Sequence, residues 1–316
     1  MHTSFKRIKL RIIAPSLIRL MDLFLGKRSE SNSTKQFKDP FFIIGSGRNG
    51  STLLGGMLNT HKEIFLPPEQ YILGYSLLKW NLKRHKSWNK ISNEIIDDYQ
   101  ETKNTCNWDT SLEPLKKQVL ELEQHSKNFS NLIGEIFQFL ANKKNSSFSL
   151  YGDQSPITTH FCKELIQEFP LSKFIVLVRD PRDVALSYSK IKNHPARNLN
   201  HAIWKWNDSI SMLDFLKRKD PSCAIHIKYE DLVAQPKQTL ESICGFLNIT
   251  YCDELLDHSK SAENLGVSHL AIHSNLNNKI STSSIGKWKT ELSEEKINTI
   301  NSLTKTNRER FGYKDH

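Results

Sequence analysis

The run Gly45-Ser46-Gly47-Arg48-Asn49-Gly50-Ser51-Thr52 brings together backbone freedom, hydroxyl groups and one arginine. It follows the apolar run Phe41-Phe42-Ile43-Ile44 and opens a helix-like segment at 51–59, the setting in which a glycine-rich loop cradles a phosphate-like anion at a helix N-terminus. Its spacing matches G-x-x-x-x-G-K-[ST], except that Ser51 stands where a nucleoside-triphosphate loop needs its lysine. Arg48 is the loop's cation, and a planar guanidinium fork suits two anionic oxygens at once. The backbone amides of Gly50, Ser51 and Thr52 and the neighbouring hydroxyls complete the cradle. A plain strand-to-helix turn is the other reading of this run.

A second arginine occupies the same kind of place. Phe174-Ile175-Val176-Leu177-Val178 ends in Arg179-Asp180-Pro181-Arg182, and Ser187 follows within a helix-like segment at 184–192. Arg179 offers a bidentate contact at a strand end, and Ser187 a hydroxyl from the next helix. Read alone, Asp180 and Pro181 are also ordinary helix-start residues, an N-cap and a first-turn proline. A third apolar run, Ala224-Ile225-His226-Ile227-Lys228-Tyr229, leads through Glu230-Asp231 to a helical pattern at 238–247. Repeated units of this kind predict an α/β fold with three layers: a central parallel sheet, helices on both faces, and a P-loop-like strand-loop-helix at its carboxyl edge.

Residues 70–142 are mostly helical in pattern and carry Trp80, Trp88 and Trp108. They read either as an insertion shaping an acceptor pocket or as a helical layer of the same domain. Residues 1–38 are set apart. Lys6, Arg7, Lys9, Arg11 and Arg19 interleave with Ile8, Ile12, Leu17, Leu20, Leu23 and Phe24, the pattern of a basic amphipathic helix. Three readings stand for residues 1–28: attachment to an anionic membrane surface, packing on the chain's own domain, or an arginine-rich transit peptide. Polar residues 27–38 then form a linker to the domain at 39–316.

Over 316 residues, Lys and Arg number 44 against 34 Asp and Glu, a formal charge of +10 that points to an anionic partner. Nucleic-acid binding would call for basic residues interleaved with aromatics or a known module, and neither is present. The five cysteines lack Cys-x-x-Cys spacing and read as reduced structural thiols. With no apolar run long enough to cross a membrane and no secretory signal, a cytoplasmic protein is expected, peripheral at a membrane only on the first of the three readings of the basic segment.

The two arginine motifs together resemble the sulfotransferases that use 3′-phosphoadenosine 5′-phosphosulfate (PAPS), in the bacterial and tyrosylprotein branch. Phe42 to Leu54 looks like their 5′-phosphosulfate motif, usually R-S-G-T-[ST]-L, with Asn49 and Ser51 as departures. Val178 to Tyr188 looks like their 3′-phosphate motif. The resemblance extends to Lys228-Tyr229-Glu230-Asp231-Leu232, whose tyrosine lies near the nucleotide in the family. It also reaches Lys279 to Lys289, which is similar to the segment that closes over the co-substrate. It runs from Asp39 to Tyr313 and is weakest over 70–142. It implies PAPS as co-substrate, held by Arg48, Asn49, Gly50, Ser51, Thr52, Leu53, Arg179, Ser187, Tyr229, Lys279 and Ser284. The acceptor would be a hydroxyl or amine on a small molecule, glycan, lipid or peptide. No metal is expected, because the sulfuryl group carries less charge than a phosphoryl group and side-chain cations suffice.

Transfer of that kind needs a base for the acceptor's proton. Glu69, in Ile64-Phe65-Leu66-Pro67-Pro68-Glu69, stands at the same offset from Arg48 as the catalytic glutamate of tyrosylprotein sulfotransferases. Its other reading is a carboxylate at the start of the next helix. His61 is its rival, and His160 and His194 lack sequence context. Gln154 occupies a place where many relatives have lysine, which would leave a charge deficit covered by Arg48 and Lys279, or a weak or inactive enzyme. The competing functions are a P-loop kinase, disfavoured by Ser51 and by the lack of a Walker B acid, and a non-enzymatic nucleotide-binding protein at a membrane surface.

Overall fold

The protein is described by a computed structural model covering residues 17, 18, 20, 34–83, 85–102, 110–143, 147–192, 194–257 and 280–314. Most of the basic N-terminal segment, and Lys279, lie outside the described residues. Five strands, β1 (Phe41–Gly45), β2 (Ile64–Phe65), β3 (Leu150–Asp153), β4 (Phe174–Val178) and β5 (Ala224–Lys228), pair in the order β2-β3-β1-β4-β5. Every pairing is parallel. The central strands β1 and β4 are buried at every position, as a sheet covered on both faces requires. Edge strand β5 is buried only at Ala224 and Ile227, with His226 exposed.

Alternation along β1 and β4 divides the core between two faces. Phe41, Ile43, Ile175 and Leu177 pack with Leu54, Met57 and Leu58 of α1 (Ser51–Leu58). Phe42, Ile44, Phe174 and Val176 pack on the other face with α2 (Leu73–Leu82), α3 (Trp88–Glu101), α4 (Glu113–Leu120) and α5 (Phe129–Lys143), through Leu77, Trp80, Ile95, Leu115 and Phe129. The helical stretch therefore forms a layer on the sheet, sharing its core. Burying one such side chain is worth about 1.5–3 kcal/mol, which makes this layer part of what holds the strand ends in place.

The same face receives α6 (Cys162–Glu168) and the long α8 (Leu199–Lys219), separated by α7 (Pro181–Ser189) after β4. Two short helices follow β5, α9 (Tyr229–Ala234) and α10 (Pro236–Leu247), and the chain ends in α11 (Trp288–Glu291) and α12 (Glu294–Arg310). The chain leaves β1 toward β2, returns to β3, and then crosses to β4 on the other flank of β1. Such a reversal opens a crevice at the carboxyl ends of the strands. The loop after β1 and the start of α7 both emerge there.

Candidate active site

The loop after β1 is bent by positive backbone angles at Gly47 (φ 75°), Arg48 (φ 56°) and Gly50 (φ 96°). Gly50 caps α1 in the left-handed conformation, with no side chain bonded to the first-turn amides, so those donors remain for a ligand. A side chain at Gly47 would strike the Tyr188 hydroxyl, and a Cβ at Gly50 would sit 2.5 Å from the Tyr229 ring. The Asn49 amide donates to the Leu177 carbonyl at 2.8 Å and ties the loop to the end of β4. The Tyr188 hydroxyl adds a bond to the Ser46 carbonyl at 2.7 Å. Ser51 is buried at the start of α1, beside half-buried Thr52 and Leu53. Leu53 packs its side chain on the α1 core, which leaves its backbone amide as the part available to a ligand.

Residues of the two arginine motifs meet here. Arg48 Nε donates to Ser187 Oγ at 3.0 Å. Arg179 donates to the Arg48 carbonyl at 3.1 Å and to the Ser284 carbonyl at 2.6 Å, and its guanidinium lies 4.4 Å from the centre of the Tyr229 ring. Burial pulls the Arg48 pKa down, Arg179 adds to the effect, and Tyr188 and Glu69 oppose it. A pair of crowded cations is a standing demand for an anion. The Arg179 Nε–H is a donor buried there without a hydrogen-bond partner, as in a cradle finished by an anionic ligand.

Glu69 emerges from Pro67-Pro68 as a half-buried side chain, and the Tyr71 hydroxyl donates to its Oε2. Burial pushes its carboxyl up to about 7, and Asp153 pushes the same way, while Tyr71, Arg48 and Lys205 pull it down. The loop is fastened to the end of β3, where Ser155 Oγ accepts from the amides of Gln70 at 3.0 Å and Tyr71 at 3.3 Å and donates to Asp153 at 2.7 Å. Helix α2 begins at Leu73 after Ile72, with no side-chain cap, so Glu69 has no capping role. His61, the rival base, is 4% exposed and bonds through both ring nitrogens to the backbone, at the Thr250 carbonyl and the Glu63 amide. It is a structural histidine.

A family model described as "Sulfotransferase family" matches residues 40–253. The chain belongs to the sulfotransferase family. It is 24% identical over 277 residues to a candidate protein-tyrosine sulfotransferase of Caenorhabditis briggsae, covering 84% of this chain and 86% of that protein. Identity to protein-tyrosine sulfotransferase 2 of Gallus gallus is 29% over 227 residues, or 69% of this chain and 53% of the relative; the chain thus spans about half of that relative's length. Among solved structures, the sulfotransferase domain from the curacin biosynthetic pathway is similar with a TM-score of 0.54 and 25% identity, covering 85% of this chain and 98% of that domain.

Several residues of this sulfotransferase that shape the site were not singled out by sequence motifs. Asp183 accepts from the amides of Gly286 at 2.7 Å and Trp288 at 3.1 Å, anchoring the segment that carries Ser284 beside Arg179. Arg182, by contrast with Arg179, is buried, paired with Asp180 at 2.8 Å and stacked 3.7 Å over Trp288. Trp206 Nε1 holds the Arg179 carbonyl at 2.8 Å. His160 gains a context, bonded to Asp208 at 2.7 Å and stacked on Trp204, while His194 stacks on Tyr188. Gln154 is 1% exposed, lies against Gly55 of α1, and leaves its Oε1 without a partner. Among the described residues no helix is long and apolar enough to cross a membrane, and no cluster of three or more His, Cys, Asp or Glu side chains is placed to hold a metal ion.

Proposed function

We propose that this sulfotransferase moves the sulfuryl group of PAPS to a hydroxyl acceptor by in-line transfer, with Glu69 as general base. The observation that carries the reading is the meeting of Arg48, Ser187 and Arg179 at the strand ends, with the raised Glu69 carboxyl in the field of Arg48. Arg48 and the first-turn amides of α1 suit the 5′-phosphosulfate, with Ser51, Thr52 and Leu53 in that turn and Asn49 in the loop before it. Arg179, Ser187 and the segment of Ser284 suit the 3′-phosphate, with the Tyr229 ring near the nucleotide. The buried, unpartnered Arg179 Nε–H fits such a ligand. PAPS supplies an activated sulfur whose leaving group is a phosphate.

In this scheme Glu69 takes the acceptor's proton as the acceptor oxygen bonds to sulfur and the bond from sulfur to the bridging oxygen breaks. Arg48 takes up the charge that grows on the departing 5′-phosphate. Glu69 acts as carboxylate, so the acid limb of kcat/KM falls near pH 7. The acceptor proposed first is the tyrosine hydroxyl of a protein or peptide, on the strength of the similarity to relatives named for that reaction.

Thermal unfolding with 3′-phosphoadenosine 5′-phosphate (PAP), set against ATP with Mg²⁺, tests the nucleotide assignment, because a ligand of the native state raises Tm. A rise with PAP alone is the expected result; a rise with ATP alone overturns it. Sulfate transfer from labelled PAPS to a tyrosine peptide tests the acceptor.

A further inference from the structure

The peptide that joins Arg179 to Asp180 is held at both of its polar groups. Its carbonyl accepts from Trp206 Nε1 of α8 at 2.8 Å, and its N–H donates to Glu230 Oε1 of α9 at 3.0 Å. Turning a planar peptide gripped in this way costs both bonds, so the direction in which Arg179 leaves the backbone is set. The ring of Tyr229, next to Glu230, lies 4.4 Å from the Arg179 guanidinium and steadies the far end of the side chain. Glu230 is in turn held from a distant part of the sequence. The Tyr313 hydroxyl donates to its Oε2 at 2.8 Å. Tyr313 is buried, its ring lies 4.6 Å from Lys228 Nζ, and its amide donates to the Arg308 carbonyl at 3.0 Å, which fastens it to the end of α12. One oxygen of Glu230 thus serves the Arg179 turn, and the other the segment after α12.

We propose that Glu230 is a positioning residue of the nucleotide site, aiming Arg179 at the 3′-phosphate, and that Tyr313 keeps Glu230 in that pose. The proposal rests on the reading of Arg179 as a nucleotide contact. The Arg179 Nε–H is a buried donor with no partner, and a hydrogen bond to an incoming anion weakens steeply with misalignment. A rotation of the 179–180 peptide would swing that donor off its target. A carboxylate suits the post, because its two oxygens accept separately and can join two segments far apart in sequence. Glu230 joins the turn after β4 to Tyr313 in this manner. Neither residue need touch the nucleotide to tune its affinity.

The test uses the full chain with Glu230→Ala, Glu230→Gln and Tyr313→Phe, each titrated with PAP. Glu230→Ala should weaken PAP by about tenfold, and Tyr313→Phe, which removes only the hydroxyl, by about threefold. Glu230→Gln should bind PAP nearly as the unaltered chain does, because its amide oxygen accepts from Asp180 and its amide nitrogen donates to the Tyr313 oxygen. The deciding measurement is made in an Arg179→Ala background. There Glu230→Ala should cost no further PAP affinity, since a residue that acts through Arg179 has nothing left to aim. An undiminished loss in that background overturns the proposal. So does a fall in Tm with PAP affinity unchanged, which would leave Glu230 a purely structural residue. Should Glu230→Ala not fold, Tyr313→Phe carries the same test in both backgrounds. Failure of the unaltered chain to bind PAP would instead count against the function proposed above, so the two failures are separable.

Discussion

Arg179 is fixed on several sides, through the carbonyls of Arg48 and Ser284, through the Tyr229 ring and through Trp206 on its own carbonyl. Glu69, in the same crevice, is held by Tyr71 in a setting whose burial drives its carboxyl up to about 7. Beside it, Gln70 has both amide atoms buried without a partner, and Gln154 has its Oε1 so. In the proposed scheme, the nucleotide side is prepared mostly by hydrogen bonds already made, with Arg179 Nε left open, and the transfer side by groups kept short of their preferred state. Pre-formed contacts lower the ordering cost of a ligand, whereas a base is useful when its proton affinity lies near working pH.

If the two sides differ in this way, Glu69→Gln should lower transfer by about 10²–10⁴-fold while leaving the PAP-induced rise in Tm in place. A parallel loss of both, in assays of activity and melting on the same sample, would erase the distinction.

The two arginines of the β4–α7 turn sharpen the binding side. Arg182 is buried, ion-paired with Asp180 and bonded to the Lys314 carbonyl at 2.8 Å. Arg182→Ala leaves Asp180 as an uncompensated charge and should cost about 3–5 kcal/mol of stability, read by denaturant unfolding. Arg179→Ala should change stability far less, and weaken PAP by about tenfold to a hundredfold in a titration, the worth of charge-assisted hydrogen bonds. Equal effects of the two substitutions on PAP affinity would show that Arg182 also serves the nucleotide.

That contrast also measures what could be read from the chain. The phosphate loop and Arg179 were legible because their chemistry is contiguous, with each following an apolar strand and opening a helix. Arg182 carries the same residue type three positions on, and only the packing of Trp288 and the chain's C-terminal carbonyls separates its role from that of Arg179. His61 looked available in sequence because its partners, Thr250 and Glu63, come from the fold and from a local turn. Trp206 and Asp183 were illegible for a related reason: each reaches the site from a helix face, and nothing in its local sequence tells which face the sheet will receive. Residues 70–142 gave no functional signal, since Trp80 and Trp88 meet edge-on at 6.0 Å in the core beneath the helical layer.

The smallest effect bears on the transfer side alone. Burial raises the Glu69 carboxyl from its ordinary value of 4.5 to about 7. Below the ordinary value both folded and unfolded chains hold the proton, and the group costs nothing. Between the two values the unfolded chain releases the proton while the folded chain keeps it, so stability declines as pH rises. Above about 7 both are ionised and the whole cost of a buried carboxylate is present. Glu69→Gln removes this dependence because an amide does not titrate. Without nucleotide, the variant should melt with the unaltered chain near about pH 4 and above it from about pH 7 upward, the gap opening between those limits. A gap that stays constant across that range would mean that Glu69 is as comfortable in the fold as in water, and the contrast with Arg179 would then lie in hydrogen bonding alone.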